Sequence, residues 1–168
     1  GAQLVSDITY IPTRESWLYL AVVIDLFSRA ILGWKLSDSL QADLVVGATT
    51  RAIESGLVPP GAIFHSDRGC QYSATITREL LARQGLRQSM SAKGYCYDNA
   101  FSESAFASLK CEVLSEGLPF TSNRAATTAL FDYFETFYNR RRLHSSLAYL
   151  SPNAFLNSHF QNQNPHLN

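Results

Sequence analysis

The chain has 168 residues, 46% of them hydrophobic and 17% charged, with 14 basic residues balanced by 14 acidic ones. That length supports one domain with a substantial core and no need of disulfides, and the composition excludes a disordered chain. Zero net charge excludes a protein that holds nucleic acid by bulk electrostatics alone, so any polyanion site has to be local.

Cys70, Cys96 and Cys111 form no CxxC pair and have no His at metal-ligand spacing, which points to free thiols in a reducing compartment. The longest apolar run, Trp17 to Phe27, contains Asp25 and is too short to span a bilayer, and no signal peptide is visible. A chain that opens almost directly on a strand reads as a fragment of something longer.

Residues 3 to 11 alternate as a strand does, with Asp7 on the side of Val5, Thr9 and Ile11. Asp is depleted in strand interiors, so this one needs a reason. Trp17 to Ile24 is apolar on both faces, the mark of a central, doubly covered strand, and Ala30 to Leu36 is a third run. The short connections predict antiparallel hairpin pairing of the three. From Ser39 to Glu54 the period becomes helical, with Leu44, Val45, Ala48, Ala52 and Ile53 inward, and Gly56, Pro59 and Pro60 end the segment. Ala62 to Ser66 is then a strand reached by a helical crossover, hence a candidate to lie parallel to an earlier one. Residues 74 to 84 read as a helix with Ile76, Leu80 and Leu81 inward, and Leu86 to Met90 as a last strand.

Ser91 to Tyr97 reads as a loop containing Tyr95 and Tyr97, one a core anchor and the other available to stack on an unpaired base. Asp98 or Asn99 caps a helix to about Ser115. A further amphipathic helix, about Asn123 to Asn139, carries Leu130, Phe131, Phe134 and Phe137. Residues 1–156 are expected to form the core with its C-terminal helix, and residues 157–168 a flexible polar tail. The sum is an α/β domain built on a five-stranded mixed sheet, three antiparallel strands followed by two parallel ones, flanked by helices.

Three acids stand out. Asp67 ends the strand in His65-Ser66-Asp67-Arg68-Gly69, Glu103 lies one turn into the helix after Asp98, and Asp7 sits inside the first strand. Between Asp67 and Glu103, positions 68 to 102 make 35 residues. Lys110 follows Glu103 by a heptad, which drifts only about 20° on a helix, so the two share a face. Taken singly, Asp67 suits an Asx turn before Gly69, Glu103 a solvated helix position and Lys110 a surface cation. Jointly, three carboxylates without Cys or His are hard-oxygen ligands suited to Mg²⁺ or Mn²⁺, and two such ions about 3.5–4 Å apart serve phosphodiester displacement. Asp25 reads as a strand-end cap or a partner of Arg29, His65 as a packed residue, and Glu112 as lying opposite Glu103 on its helix. Arg140-Arg141-Arg142 with His144 is the one basic cluster, suited to phosphate or to the helix dipole.

These residues resemble the DD(35)E integrase core of insertion-sequence transposases, specifically the second-frame product of the IS3 family, a relative of retroviral integrases. The resemblance rests on Ser6-Asp7-Ile8-Thr9-Tyr10-Ile11, Val23-Ile24-Asp25-Leu26-Phe27-Ser28-Arg29, His65 through Tyr72, Asp98-Asn99-Ala100 with Glu103-Ser104, and Tyr138-Asn139, Arg142, His144-Ser145 and Tyr149-Leu150-Ser151-Pro152. It implies an RNase H-like fold, a metal-binding triad of Asp7, Asp67 and Glu103, and about two Mg²⁺ or Mn²⁺ ions. Implied DNA contacts come from Lys110, Arg140, Arg141, Arg142 and His144. The implied chemistry is DNA strand cleavage and strand transfer on element ends and target, with a hydrolytic nuclease or a non-catalytic DNA-binding or oligomerisation module as the alternatives. The resemblance further implies a homo-oligomeric active assembly, no membrane partner, and a bacterial cytoplasmic, nucleoid-associated setting. Leu4 stands where the family often has Trp, Ala148 where it often has Gly, and the family's N-terminal helix-turn-helix has no counterpart here.

Overall fold

The computed structural model describes residues 2–90, 107–108, 111–113 and 119–163. Three strands, β1 (Gln3–Pro12), β2 (Trp17–Asp25) and β3 (Ile31–Ser37), form an antiparallel meander, because their connections are too short for anything but hairpins. Helix α1 (Ala42–Glu54) then crosses to β4 (Ile63–Ser66), and the short α2 (Cys70–Ser73) and α3 (Thr75–Arg83) lead to β5 (Arg87–Met90). The sheet order is β3-β2-β1-β4-β5, with β4 parallel to both β1 and β5. This is the mixed sheet expected from the sequence.

Period-two alternation sends β1 and β2 side chains to two separate cores. On one face Leu4, Ala21, Val23 and Phe64 pack with Leu44, Val45, Ala48 and Ala52 of α1 and with Tyr72 and Leu81. On the other, Val5, Ile11, Leu20, Val22 and Trp34 pack with Ala126, Leu130, Tyr133, Phe134 and Tyr138. Each fully buried aliphatic or aromatic side chain contributes roughly 1.5–3 kcal/mol, so a strand covered on both sides, as β2 is, anchors the molecule. Gly33 is required where α1 crosses β3: a Cβ there would lie 2.2 Å from the Ala48 carbonyl oxygen and 2.5 Å from the Ala52 nitrogen.

After residue 119 the chain enters α4 (Asn123–Asp132), whose Ser122 cap accepts the Ala125 N–H at 3.1 Å. The helix continues through a π-helical segment, Tyr133–Tyr138, and a last turn, Asn139–Arg141. Phe131 and Phe137, expected inward, are 53% and 39% exposed, while Tyr133 and Tyr138 are buried. Phe137 lies in the π segment, whose wider turn, marked by the Arg142 N–H donating to the Phe137 carbonyl at 3.0 Å, departs from the 3.6-residue period on which the expectation rested. Phe131 precedes that segment and is turned about 100° round the helix from the buried Leu130. A smaller shift occurs in α3, where Thr77 and Leu81 are buried and Ile76 is 43% exposed.

Asn139 fastens the end of this long helix to the sheet: its amide accepts the Ile31 N–H at 2.9 Å and donates to the Ile31 carbonyl at 2.8 Å. Helix α5 (Pro152–Gln163) follows and runs across residue 156. Its His159 ring stacks on Phe155 at 10° interplanar and meets Phe27 edge-on, centroids 4.9 Å apart. Among the described residues no helix is long and apolar enough to cross a membrane.

Candidate active site

Parallel pairing of β1 with β4 sets Val5 beside His65 and Ser6 beside Ser66. Asp7 is the next residue on β1, and Asp67 is the first residue after β4 ends. The half-buried Asp7 belongs to the odd-numbered face of β1, between Val5 and Ile11, which both enter the core under α4. Asp67 is exposed, where the chain leaves β4. Each carboxylate is steadied locally: Asp7 Oδ1 accepts the Ile8 N–H at 2.8 Å, and Asp67 Oδ1 accepts the Gly69 N–H at 2.8 Å. The Asx turn considered for Asp67 is therefore present, and it orients the acid.

Beneath the pair lies Tyr72, brought back under the sheet by α2. Its hydroxyl shares a 3.0 Å hydrogen bond with Ser6 Oγ, both groups buried. Burial pushes the Tyr72 phenol well above its ordinary range, and Asp7 and Asp67 both push it further, against the Ser6 hydrogen bond. The fields of the two aspartates thus meet at one buried hydroxyl. His65 turns to β5, where its Nδ1 lies 3.0 Å from Ser89 Oγ, the packed role expected of it. Asp25 caps the turn after β2, accepting the Ser28 N–H at 2.9 Å and the Ser28 hydroxyl at 2.6 Å.

Glu103, Lys110, Tyr95, Tyr97 and Asp98 lie outside the described residues. Among the described residues no group of three His, Cys, Asp or Glu side chains gathers in one place, and Asp7 and Asp67 form a pair. The donor type fits a hard divalent cation: one half-buried carboxylate on β1 and one exposed carboxylate just past the end of the adjacent parallel β4, with no thiolate or imidazole in the pair.

The basic cluster divides. Arg140 and Arg141 are exposed at the end of the long helix. Arg142 and His144, expected to face DNA, are turned onto the protein. The Arg142 guanidinium reaches Glu112 with Nη2 at 2.7 Å from Oε1, and Nε at 2.9 and 3.0 Å from the two carboxylate oxygens. It also lies 5.5 Å from the Tyr138 ring centroid. A forked, stacked arginine of this kind is held to its carboxylate.

His144 stands edge-on to Tyr138, centroids 5.3 Å apart. Burial first, and then Arg142, pull its pKa down to about 4 against the opposing effect of Glu112, so it is neutral near pH 7. Glu112, set aside in the sequence as facing away from Glu103, is the hub: it also accepts the Tyr133 hydroxyl at 2.6 Å. Burial raises its carboxyl, but the hydrogen bonds from Arg142 and Tyr133 outweigh this and hold it below the ordinary value. No local pattern marks the residue, because its partners are 21 and 30 positions away.

The integrase core domain family model matches residues 1–96, and a second model of the same description matches residues 84–152. Over 151 residues the chain is 48% identical to transposase InsF of insertion sequence IS3A from Escherichia coli K12, covering 90% of this chain and 52% of that protein. It is 44% identical over 151 residues to the transposase of insertion sequence element IS904 from Lactococcus lactis, covering 90% and 59%. The chain thus spans about half the length of the curated relatives it matches.

Among solved structures, the catalytic core domain of BIV integrase superposes with a TM-score of 0.66 at 18% identity, over 96% of this chain and 97% of that one. The catalytic domain of Mos1 mariner transposase superposes with a TM-score of 0.63 at 16% identity, over 80% and 70%. These likenesses establish the RNase H-like fold. The chain belongs to the integrase core domain family.

Proposed function

We propose that the chain carries out DNA strand cleavage and strand transfer, with Asp7, Asp67 and Glu103 as the acids that hold divalent cations. The observation that carries this reading is the parallel register that pairs Ser6 with Ser66 and is followed at once by Asp7 on β1 and by Asp67 where the chain leaves β4. Two carboxylates so placed repel each other, and the arrangement makes chemical sense if cations bind between them.

Bound Mg²⁺ or Mn²⁺, two ions in this reading, supplies Lewis-acid polarisation of the scissile phosphate and lets an oxygen nucleophile attack near neutral pH. The chain's own part is positional. Asp67 is set by the Gly69 N–H and Asp7 by the Ile8 N–H, so neither must reorganise when charge moves on the phosphate. In this reading Glu103 completes the set, and Lys110, seven positions on in sequence, contacts phosphate. In cleavage, water attacks phosphorus and the P–O3′ bond breaks. In transfer, a DNA 3′-hydroxyl attacks a target phosphorus instead, the target's P–O3′ bond breaks, and the proton lost by the attacking hydroxyl is balanced through solvent by the one taken up by the departing 3′-oxygen. Arg140 and Arg141, exposed and outside the Glu112 cluster, bind DNA backbone as local charges in a molecule of zero net charge.

The substrates are the element's ends and the target DNA, and the active assembly is a homo-oligomer. In support, an HTLV-2 integrase catalytic core domain, 16% identical with a TM-score of 0.59, is described in complex with magnesium in a trimeric form. The test is incubation with a labelled duplex ending in the element's terminal sequence, with Mg²⁺ or Mn²⁺ and a second duplex as target. Joined product that disappears in D67N is expected. Cleavage without any joining would replace strand transfer by simple hydrolysis, and full activity in D67N would remove the acids from the chemistry.

A further inference from the structure

Asp67 hangs on the start of α2. Its Oδ1 accepts the Gly69 N–H at 2.8 Å, and its carbonyl accepts the Ser66 hydroxyl at 2.9 Å. Gly69 in turn caps α2, its carbonyl accepting the Tyr72 and Ser73 N–H groups at 3.0 and 3.2 Å. A helix of 4 residues has little stability of its own, so α2 stands where its ties put it. The Gln71 amide donates to the Leu40 carbonyl at 3.1 Å. Thr77 of α3 donates to the Gln71 carbonyl at 2.7 Å, and Gln88 of β5 to the Tyr72 carbonyl at 2.8 Å. The remaining tie, the buried 3.0 Å bond between Tyr72 and Ser6, is the one that reaches β1.

Ser6 is the residue before Asp7, and Tyr72 belongs to the turn of helix that Gly69 caps. Their hydrogen bond therefore joins the backbone that carries one aspartate to the backbone that carries the other. Gly69 marks how closely Asp67 is held. Its φ of −55° and ψ of 147° are open to any residue, so the backbone does not call for glycine. The surroundings do: a Cβ would lie 3.0 Å from Asp67 Oδ1 and 3.2 Å from Gln71 Oε1. The Asp67 carboxylate is pressed against α2 with no room for a methyl group between them.

We propose that Tyr72 is a positioning residue: through Ser6 on one side and Gly69 on the other it fixes the spacing of the Asp7 and Asp67 carboxylates, and that spacing selects Mg²⁺ over larger divalent cations. This rests on the metal-binding reading given above. Mg²⁺ demands near-ideal octahedral geometry with oxygens at about 2.0–2.1 Å, whereas Ca²⁺ accepts six to eight oxygens at about 2.3–2.6 Å in flexible arrangements. Loosening two carboxylates against each other therefore costs the smaller ion first. Tyr72 is buried with its hydroxyl on Ser6, so it acts through the two aspartates.

The experiment titrates Mg²⁺ and Ca²⁺ separately into wild type, Y72F, S6A, the S6A/Y72F double variant, G69A and D67N, and reads affinity from thermal melts. In Y72F and S6A the Mg²⁺ affinity is expected to fall about tenfold and the Ca²⁺ affinity less than about threefold, so the preference for Mg²⁺ shrinks. The double variant separates positioning from packing. It regains most of the metal-free stability lost in the single variants, because neither hydroxyl is left unsatisfied, yet its Mg²⁺ affinity stays low. G69A keeps the Tyr72–Ser6 bond, displaces the Asp67 carboxylate and shows the same loss of preference. Wild-type preference in S6A/Y72F or in G69A, or equal losses for the two ions, overturns the proposal and leaves the metal-binding reading standing. Ion-dependent stabilisation that is absent from wild type, or that survives in D67N, overturns that reading and the proposal with it.

Discussion

Asp7 and Asp67 are successive to a paired couple, Ser6 and Ser66, so two carboxylates from positions sixty residues apart come to the same level of adjacent parallel strands. Replacing either by Asn keeps its local hydrogen bond, since the Asn Oδ1 still accepts the Ile8 or Gly69 N–H, and removes one charge. In metal-free buffer D7N and D67N should therefore melt at or above the wild-type temperature, because like-charge repulsion is relieved. In excess Mn²⁺ the order should invert. A ligand at about 100 times its Kd adds roughly 2.7 kcal/mol to the state that binds it, so wild type gains several degrees and the variants do not. Thermal melts with EDTA and with Mn²⁺ read this, and an equal Mn²⁺ shift in D67N would show that Asp67 binds no ion.

The Ser6–Tyr72 hydrogen bond is the floor of the site, fully buried and 3.0 Å long. Tyr72→Phe leaves the Ser6 hydroxyl without this partner, an expected loss of about 1–3 kcal/mol. Ser6→Ala combined with Tyr72→Phe should lose less than the sum of the single changes, because removing both partners leaves neither unsatisfied. Urea unfolding of the four proteins gives the coupling, and strict additivity would mean that the bond contributes nothing.

Gly33→Ala should be among the most damaging single-methyl changes in the chain. The added Cβ would meet backbone atoms of α1, at 2.2 Å from the Ala48 oxygen and 2.5 Å from the Ala52 nitrogen, and backbone cannot rotate aside. Overpacking of this kind costs about 3 kcal/mol. Denaturant midpoints would measure it, and a loss below about 1 kcal/mol would mean that α1 moves off β3 easily.

Gly33 also illustrates what the sequence carries and what it leaves hidden. The strands, their antiparallel and parallel halves and the pairing of two acids were legible, because short turns force hairpins and a helical crossover makes a parallel neighbour. A glycine inside a strand pattern signals close backbone approach without naming the approaching element. The π turn over Tyr133–Tyr138 was illegible because its residues are ordinary helix formers by pattern, so Phe137 reads as inward on a period that the chain abandons there. That Arg142 is paired was illegible because its partner, Glu112, lies 30 positions away. Charge along the sequence does not say which charges are already paired in space.

Ala148 occupies the left-handed region at φ 54°, ψ 39°, followed by Tyr149 at φ 60°. For an alanine this conformation costs roughly 1–2 kcal/mol, and glycine avoids that cost but loses about 0.5–1 kcal/mol more backbone entropy on folding. The first effect is the larger, so Ala148→Gly should stabilise the chain by about 0.5–1 kcal/mol. The residue that the family often has at this position is thus the one this backbone favours. Equilibrium unfolding would detect the gain, and a destabilised Ala148→Gly would place the turn's strain elsewhere.

His144 makes the C-terminal cluster sensitive to acid. Its folded pKa of about 4 lies below its unfolded value of 6.5, so between those pH values the unfolded chain binds more protons than the native one. Stability from this residue is fully present above pH 6.5 and drains away as pH falls toward 4. Glu112 acts in the same direction in a lower window: held below its ordinary 4.5 by Arg142 and Tyr133 against burial, it loses its contribution as pH drops past that value. The groups facing His144 are Arg142, Glu112, Arg29 and the Tyr138 ring, and protonation would set a second cation beside Arg142. With solvent screening at a half-exposed ring the effect is about 1 kcal/mol. His144→Gln should flatten the stability profile between pH 6.5 and 4 while leaving the steeper fall below pH 4.5. Chemical denaturation across pH 3–8 would read both windows, and a wild-type profile flat from 6.5 to 4 would mean that the imidazole titrates in the folded protein as it does in water.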